Sequence, residues 1–319
     1  MVKKIVVIGG GNGAPVVLSG LKANPGLELS VIVSVFDSGT STGRLRRDFS
    51  IPALGDIRKC LVSLSSAPAG ALAGLFQHRF QEGELAGHSL GNLMLLGLLK
   101  GSKDLPEAVE KAMGLLEAKG TVCPASLGNS HIVAEFEDGK VVEGETLIDV
   151  AESDNRDPRL RVKNFYSKPP ASAFEGAIEA VREADLVVIG PGDLYTSVLA
   201  NFAAKGLPEA LQEAKAKKAY VCNTCTKPGE TFGMTASEHV SEILKYTGLR
   251  KLDFVVVNSR QINAAKVSAH AEVKGQEQVR VDEEKLKRQA ARVVLADVIS
   301  EEEPARHDAG KLAKVILSL

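Results

Sequence analysis

Ile5-Val6-Val7-Ile8 runs without a spacer into Gly9-Gly10-Gly11-Asn12-Gly13-Ala14-Pro15. A short β-branched run of this kind reads as a buried strand. The glycines after it permit a tight turn into a helix, whose first turn tolerates the missing N–H of Pro15. Gly9-x-Gly11-x-x-Ala14 fits the dinucleotide fingerprint. Such a loop presents backbone amides to an anion, with the helix N-terminus behind it supplying about half a positive charge. Alone, that fingerprint is a weak signal.

A second apolar strand, Ser30 to Phe36, ends in Asp37 and leads into Ser38-Gly39-Thr40-Ser41-Thr42-Gly43, a loop closed by Arg44, Arg46 and Arg47. In a parallel sheet the carboxyl ends of neighbouring strands lie side by side, so both loops can line one crevice. Ordinary βα turns need glycine, but they need neither this run of hydroxyls nor an arginine cluster. Asp37 stands where dinucleotide folds place the acid that accepts from a ribose hydroxyl. A carboxylate there can instead hold magnesium beside phosphate oxygens. Both roles are open at this point.

Composition narrows the partners. Lys plus Arg number 39 against 40 Asp plus Glu, so no global field selects nucleic acid or a membrane surface. No apolar run approaches the roughly 20 residues of a membrane span, and no basic-then-apolar leader precedes the first strand; the expectation is a cytoplasmic protein. Tryptophan is absent and aromatics are few, leaving Leu, Val, Ala and Ile to pack helices on a parallel sheet. Cys222 and Cys225 have redox or zinc spacing, but Cys60 and Cys123 supply no second pair, so structural thiols are expected.

Further along, Gly55-Asp56 opens a helix in which Ile57, Leu61 and Leu64 recur at helical spacing. Asp56 is the expected N-cap. Arg58 and Lys59 then fall in the first turn, where positive charge either invites an anion or forms a plain surface charge pair. Ala71 to Phe80 reads as helical. Gly87-His88-Ser89-Leu90-Gly91 matches a nucleophile elbow literally, but Glu82 to Ala86 supplies no buried strand before it. The preferred reading caps helix Leu90 to Leu99 and turns His88, Ser89 and Asn92 toward the crevice. A further helix covers Leu105 to Ala118.

Strands are then expected at Thr121 to Pro124, His131 to Phe136 and Lys140 to Gly144, the last two joined by a hairpin, with an irregular flap from Ala151 to Pro170. A helix from Ala173 to Glu183 leads to Leu186-Val187-Val188-Ile189 and a second glycine turn, Gly190-Pro191-Gly192-Asp193-Leu194-Tyr195-Thr196-Ser197. Asp193 is read there as an N-cap, with Thr196 and Ser197 facing the crevice. Helix Pro208 to Lys217 and strand Ala219 to Asn223 follow. Thr226, Lys227 and Glu230 occupy a fourth polar loop at the rim. Then come an amphipathic helix from Thr235 to Tyr246, strand Phe254 to Asn258, a polar hairpin around Lys274-Gly275, and helices at Glu283 to Arg292 and Lys311 to Leu317. Arg306-His307-Asp308 either closes over a ligand or caps the last helix.

The fold expected is α/β: one large domain with a Rossmann-like, mostly parallel sheet, helices on both faces and a small inserted β-hairpin. Residues 1–120 and 171–260 form its core, 121–170 the insertion with its flap, and 261–319 a C-terminal hairpin and helices.

Gly9 to Gly13, Asp37 to Arg46, Gly55 to Arg58, Gly87 to Asn92, Gly190 to Ser197 and Pro228-Gly229-Glu230-Thr231 together resemble, in order and spacing, the motif series of the CofD-like/YvcK family. One branch of that family transfers a phospholactyl group to a deazaflavin with magnesium. The other, the gluconeogenesis-factor branch, comprises bacterial proteins that bind UDP-sugars and support cell shape and cell-wall growth. The chain is more similar to the second, through Gly43-Arg44-Leu45-Arg46, Gly55-Asp56-Ile57-Arg58, Gly87 to Asn92 and Leu194 to Ser197. It departs at Ser38, where that branch commonly carries a second aspartate, and at Asn12, where threonine is usual. The resemblance implies a nucleotide or nucleotide-sugar ligand at Gly9, Gly10, Gly11, Asn12, Gly13, Asp37, Ser38, Gly39, Thr40, Ser41, Thr42, Arg44, Asp56, Arg58, His88, Ser89, Asn92, Gly190, Gly192, Asp193, Tyr195, Thr196, Ser197, Thr226, Lys227, Glu230 and Arg306. Mg2+ at Asp37 is the candidate cofactor. Neither nucleic acid nor membrane is expected as a partner, and a homo-oligomer is left open. A magnesium-dependent transferase is the alternative. A nicotinamide dehydrogenase, suggested by the fingerprint alone, lacks an obvious hydride-transfer acid/base pair.

Overall fold

The computed structural model describes residues 2–66, 72–263, 275–303 and 305–319. Strands β1 (Lys3–Gly9), β2 (Leu27–Val33) and β3 (Thr121–Pro124) precede an antiparallel trio, β4 (His131–Phe136), β5 (Val141–Glu143) and β6 (Val162–Lys168). After the short β7 (Ala171–Ser172) come β8 (Leu186–Ile189), β9 (Ala204–Lys205), β10 (Lys217–Val221), β11 (Leu252–Asn258) and β12 (Ala290–Ala296). The main sheet has the order β12-β11-β10-β8-β1-β2-β3, and every pairing in it is parallel. From β1 the chain winds outward through β2 to β3, then returns to β8 on the other side of β1 and winds outward again. The order therefore reverses between β1 and β8, and a crevice opens there at the carboxyl ends.

Residue alternation along the strands splits the core in two, as a period of two requires. Ile5 and Val7 join Val31, Val33, Leu186 and Val188 on one face, under α1 (Gly13–Leu21), α3 (Gly55–Leu64) and the C-terminal helix Ala309–Leu317. Val6 and Ile8 join Ile32, Val187 and Ile189 on the other, under α8 (Glu175–Glu183), α10 (Leu207–Glu213) and α11 (Ala236–Thr247). That second face also carries the antiparallel trio, which buries Ile132, Phe136 and Phe165 in the same cluster as Ile8. Between these lie α2 (Thr40–Phe49), α4 (Leu72–Gln77), α5 (Leu90–Lys100), α6 (Leu105–Leu115), α7 (Glu145–Asp149) and the brief α9 (Ala200–Phe202).

Several expectations are corrected. β2 stops at Val33, four positions before Asp37, because its partner β1 ends at Gly9 opposite that residue. Ser34 Oγ then accepts the Phe36 N–H, turning the chain. The hydroxyl-rich stretch is not a loop but the start of α2, capped by Gly39 in extended conformation. Gly43 permits this, since a Cβ there would lie 2.1 Å from the Ser38 carbonyl oxygen. Leu54, not Asp56, is the N-cap of α3.

Thr121–Pro124 belongs to the main sheet beside β2 rather than to the insertion. The inserted element is a three-stranded sheet, β5-β4-β6, because the expected flap contains β6. Glu283–Gln289 ends where β12 begins, so the C-terminal region adds an edge strand to the core, paired with β11. The helix expected from Ala71 spans Leu72–Gln77, with Ala71 outside the described residues. Of the expected polar hairpin, Lys274 lies outside them too, while Gly275 has φ +92°. All four cysteines are buried free thiols, and burial pushes Cys222 up to about 12, as structural packing roles require. Among the described residues no helix is long and apolar enough to cross a membrane.

Candidate functional site

The crevice is built first from two backbone turns pressed together. Gly11 has φ +58°, which favours glycine, and it carries the chain from β1 into α1. A Cβ on Gly13 would lie 2.1 Å from the Pro191 oxygen, so the β1 and β8 turns touch through bare backbone. The N-cap of α1, Asn12, makes no side-chain hydrogen bond to the first turn, where the Ala14 N–H donates to the Gly10 carbonyl at 3.4 Å and Pro15 has no N–H. The Gly11 N–H is already used: Asp56 Oδ2 accepts it at 2.8 Å, while Lys59 Nζ donates to Asp56 Oδ1 at 3.0 Å. Gly9 and Gly10 complete the turn, with Gly10 close enough to Asp56 that a Cβ would meet its Oδ2 at 2.6 Å.

On the β8 side, Gly190 and Gly192 have φ of +74° and +146°. Asp193 precedes a π-helical turn, Leu194–Leu199, whose first amides are capped from outside. Glu230 accepts the Tyr195 N–H at 2.8 Å, the Thr196 N–H at 3.3 Å and the Thr196 hydroxyl at 2.8 Å. Thr196 is therefore directed at Glu230. Tyr195 donates its hydroxyl to Glu242 at 3.0 Å and packs on Phe165 and Tyr246. Ser197 is buried, and its Oγ would lie 2.9 Å from a Cβ on Gly11.

Lys227 follows β10 and donates to both Asp149 and, at 2.8 Å, Asp193. Burial alone would lower the Lys227 pKa, but Asp193, Glu230 and Asp149 outweigh it and raise it. Glu230 is pushed well up by burial and by Asp193. Asp149, Asp193 and Glu230 offer ligand atoms within 4.8 Å of one another, and the Lys227 ammonium already supplies this group with a cation. Thr226 is occupied by the Glu277 carbonyl, at 2.7 Å from its nitrogen and 3.3 Å from its hydroxyl. Asn12, Gly13, Gly192, Asp193, Lys227 and Arg306 all line one cleft. Arg306 is exposed there and pairs through Nε with Glu303 at 2.8 Å. Asp308 resolves the alternatives for its neighbourhood in part: it caps the last helix, accepting from Lys311 N at 2.8 Å.

The opposite wall gathers the β2 end, α2, α3 and α5. Asp37 Oδ1 accepts the Gly39 N–H at 2.8 Å, and burial, then the neighbouring Asp56, push the Asp37 pKa up. Ser38 Oγ lies 3.1 Å from Thr146 Oγ1 and accepts the Thr146 N–H at 3.0 Å, tying the insertion to the core. Glu145 reaches the same place, accepting from the Ser38 N–H at 3.3 Å; burial and Asp37 push it up to about 8. Thr40 is exposed, whereas Ser41 and Thr42 are buried. Arg44 donates to the Ala86 carbonyl at 2.6 Å.

Arg46 is consumed structurally, donating to the Phe36, Asp37 and Ser130 carbonyls and to Asn129. Arg58 donates to Asn92 Oδ1 at 3.0 Å and to the Phe76 carbonyl at 3.2 Å. The Ser89 hydroxyl donates to that same carbonyl at 3.3 Å and is 1% exposed, unlike an attacking nucleophile. His88 Nδ1 lies 3.2 Å from Ser41 Oγ, and burial and Arg44 lower the His88 pKa.

Asp149 and Glu145 escaped the sequence reading because they lie in the insertion, far along the chain from the loops they meet. Their only local signal is acids spaced i, i+4 on a five-residue helix.

The CofD family model, described as 2-phospho-L-lactate transferase CofD, matches residues 5–299. A gluconeogenesis factor of Halalkalibacterium halodurans is 39% identical, covering 99% of this chain and 96% of its own. A gluconeogenesis factor of Bacillus subtilis is 38% identical, covering 99% and 98%. A crystal structure of a UPF0052 family member from Bacillus halodurans superposes with TM-score 0.91 at 39% identity, covering 99% of both chains. With matches of this length over the glycine turns and both walls, the chain belongs to the CofD family, among its gluconeogenesis-factor relatives.

Proposed function

We propose that this protein binds a nucleotide-sugar, of the UDP-sugar class, in the crevice between the β1 and β8 turns, as a cytoplasmic factor in cell-wall precursor supply and cell shape. The observation that carries the reading is the contact of two glycine turns at the reversal of strand order, beside the N-terminus of α1, which its N-cap side chain leaves unbonded. Family membership supports the ligand class. The polar walls on either side supply hydrogen-bonding groups for the sugar and base.

The second reading is a magnesium-dependent transferase of a phosphorus-containing group, favoured by the CofD match and by Asp37. Asp37 would hold the ion. The surroundings fit: a carboxylate raised by burial and by Asp56 is relieved by an added cation, and hard oxygen donors suit magnesium. When bound, the ion would neutralise phosphate oxygens. In either reading Asp56, with Lys59, holds the Gly11 turn in place.

Calorimetric titration with UDP-GlcNAc, GDP and NAD, each with magnesium or EDTA, tests the proposal. Binding of UDP-GlcNAc in preference to the others is expected. Asp37→Asn should cost roughly 1.5–3 kcal/mol equally in magnesium and EDTA if Asp37 contacts ribose. If it holds the ion, wild type loses affinity in EDTA and the variant is already insensitive to it. Absence of UDP-sugar binding under all conditions would overturn the nucleotide-sugar reading.

A further inference from the structure

The wall formed by Arg58, Asn92, Ser41 and His88 has a direction. A guanidinium has donors and no acceptor, so the Asn92 atom 3.0 Å from Arg58 Nε must be its oxygen. That fixes the amide and sets Asn92 Nδ2 against Ser41 Oγ at 3.3 Å. Ser41 Oγ receives a second donor, the Ser89 N–H, also at 3.3 Å. A hydroxyl has two lone pairs and one proton. Both lone pairs are occupied, so the proton points at the remaining neighbour, His88 Nδ1. Nδ1 is thereby the acceptor of the ring, and the neutral imidazole carries its hydrogen on Nε2.

Among the described residues nothing accepts from that nitrogen, in a residue that is only 8% exposed. Two guanidinium groups flank the His88 peptide: Arg44 donates to Ala86 O and Arg79 to Gly87 O, both at 2.6 Å.

We infer that His88 is a fixed hydrogen-bond donor whose Nε2–H recognises a phosphate oxygen of the ligand. Its one accepting nitrogen, Nδ1, is already taken by the Ser41 hydroxyl. Ser41, Asn92 and Arg58 are the positioning residues that hold this tautomer. Arg44 and Arg79, set against the one acid Asp48, make an anionic oxygen the favoured acceptor. The inference rests on the nucleotide-sugar reading of the crevice for its ligand, but the tautomer stands on the hydrogen-bond chain alone.

Long-range proton–nitrogen NMR of the full chain, uniformly labelled with nitrogen-15, reads the tautomer directly. The expected pattern is a protonated Nε2 and an unprotonated Nδ1, with Ser41→Ala allowing both tautomers. A protonated Nδ1 in wild type overturns the inference, whatever the variants do. Titration with inorganic pyrophosphate should shift the Nε2 resonance; no shift at saturating concentration overturns the phosphate contact. With UDP-GlcNAc, His88→Ala and His88→Asn should bind about tenfold more weakly. His88→Gln, whose amide nitrogen reaches the Nε2 position, should stay within about threefold of wild type. Equal losses in all three variants overturn donor recognition. Failure of wild type to bind UDP-GlcNAc counts against the nucleotide-sugar reading, while the tautomer and the pyrophosphate response still decide this one.

Discussion

His239 sits fully buried near the start of α11, its Nδ1 2.9 Å from the Thr235 carbonyl. A carbonyl only accepts, so Nδ1 carries the proton and Nε2 is a lone pair, buried and without a partner among the described residues. Protonating Nε2 would bury a charge, and Glu238 and Asp282 offset only part of that cost. Burial accordingly lowers the His239 pKa from 6.5 to about 4. The folded state binds this proton less readily than the unfolded chain. Its contribution is therefore complete above about pH 6.5 and is lost as pH falls toward 4. At about 1.4 kcal/mol per pH unit, that window is worth roughly 3 kcal/mol. His239→Asn, which keeps a donor for Thr235 and cannot titrate, should flatten urea-denaturation stability between those limits by that order. An unchanged slope in the variant would place the acid sensitivity elsewhere. The same residue-by-residue logic separates Ser41, whose hydroxyl is fully committed, from Thr40, which is exposed on the same turn. Three hydroxyls in a row are visible in the sequence, but their orientation is a property of the helix they start.

At the scale of elements, the π-helical turn Leu194–Leu199 depends on a side chain from another loop. Glu230 satisfies amides at its start as an N-cap residue would, but from 34 and 35 positions away. Thr196→Val removes one of those bonds and leaves Glu230 short of a donor in a buried place, which should cost about 1–3 kcal/mol of stability. Chemical denaturation would measure it, with ligand affinity falling only as far as the turn loosens. A full loss of affinity in a variant of wild-type stability would instead make Thr196 a direct ligand contact. Element identities were legible where periodicity was strong, as in β1, β8 and α11. β12 was not, because Ala290-Ala291-Arg292 follows helix Glu283–Gln289 with no glycine or proline between them. Pairing with β11 makes that stretch a strand. β6 was hidden similarly among charged residues, and its alternation has meaning only against β4.

For the whole molecule, the antiparallel trio is not a detachable appendage. Phe136, Ile132 and Phe165 share one apolar cluster with Ile8 and Ile189 of the main sheet, and Ser38 meets Thr146 as Asp149 meets Lys227. Phe136→Ala should lower stability by roughly 3–5 kcal/mol. It should do so while far-UV circular dichroism and hydrogen exchange still report one transition. Loss of protection confined to residues 131–168, with the main sheet unaffected, would show the insertion to be an independent unit.

The sequence by itself determined the chemistry of the chain's turns and the class of its sheet. β-branched runs ending in glycine have few other ways to bury both faces and still turn into helices, so the fold class and the glycine turns were readable locally. The tertiary structure alone decided which polar groups remain available. Asp56 takes the Gly11 amide, Glu230 takes Thr196, and Arg46 is spent on carbonyls, while among the described residues nothing bonds to His88 Nε2. The physical reason is that a hydrogen bond is settled by distance and direction between groups far apart in the chain. Spacing along the sequence sets which donors and acceptors exist; packing sets which of them are already satisfied.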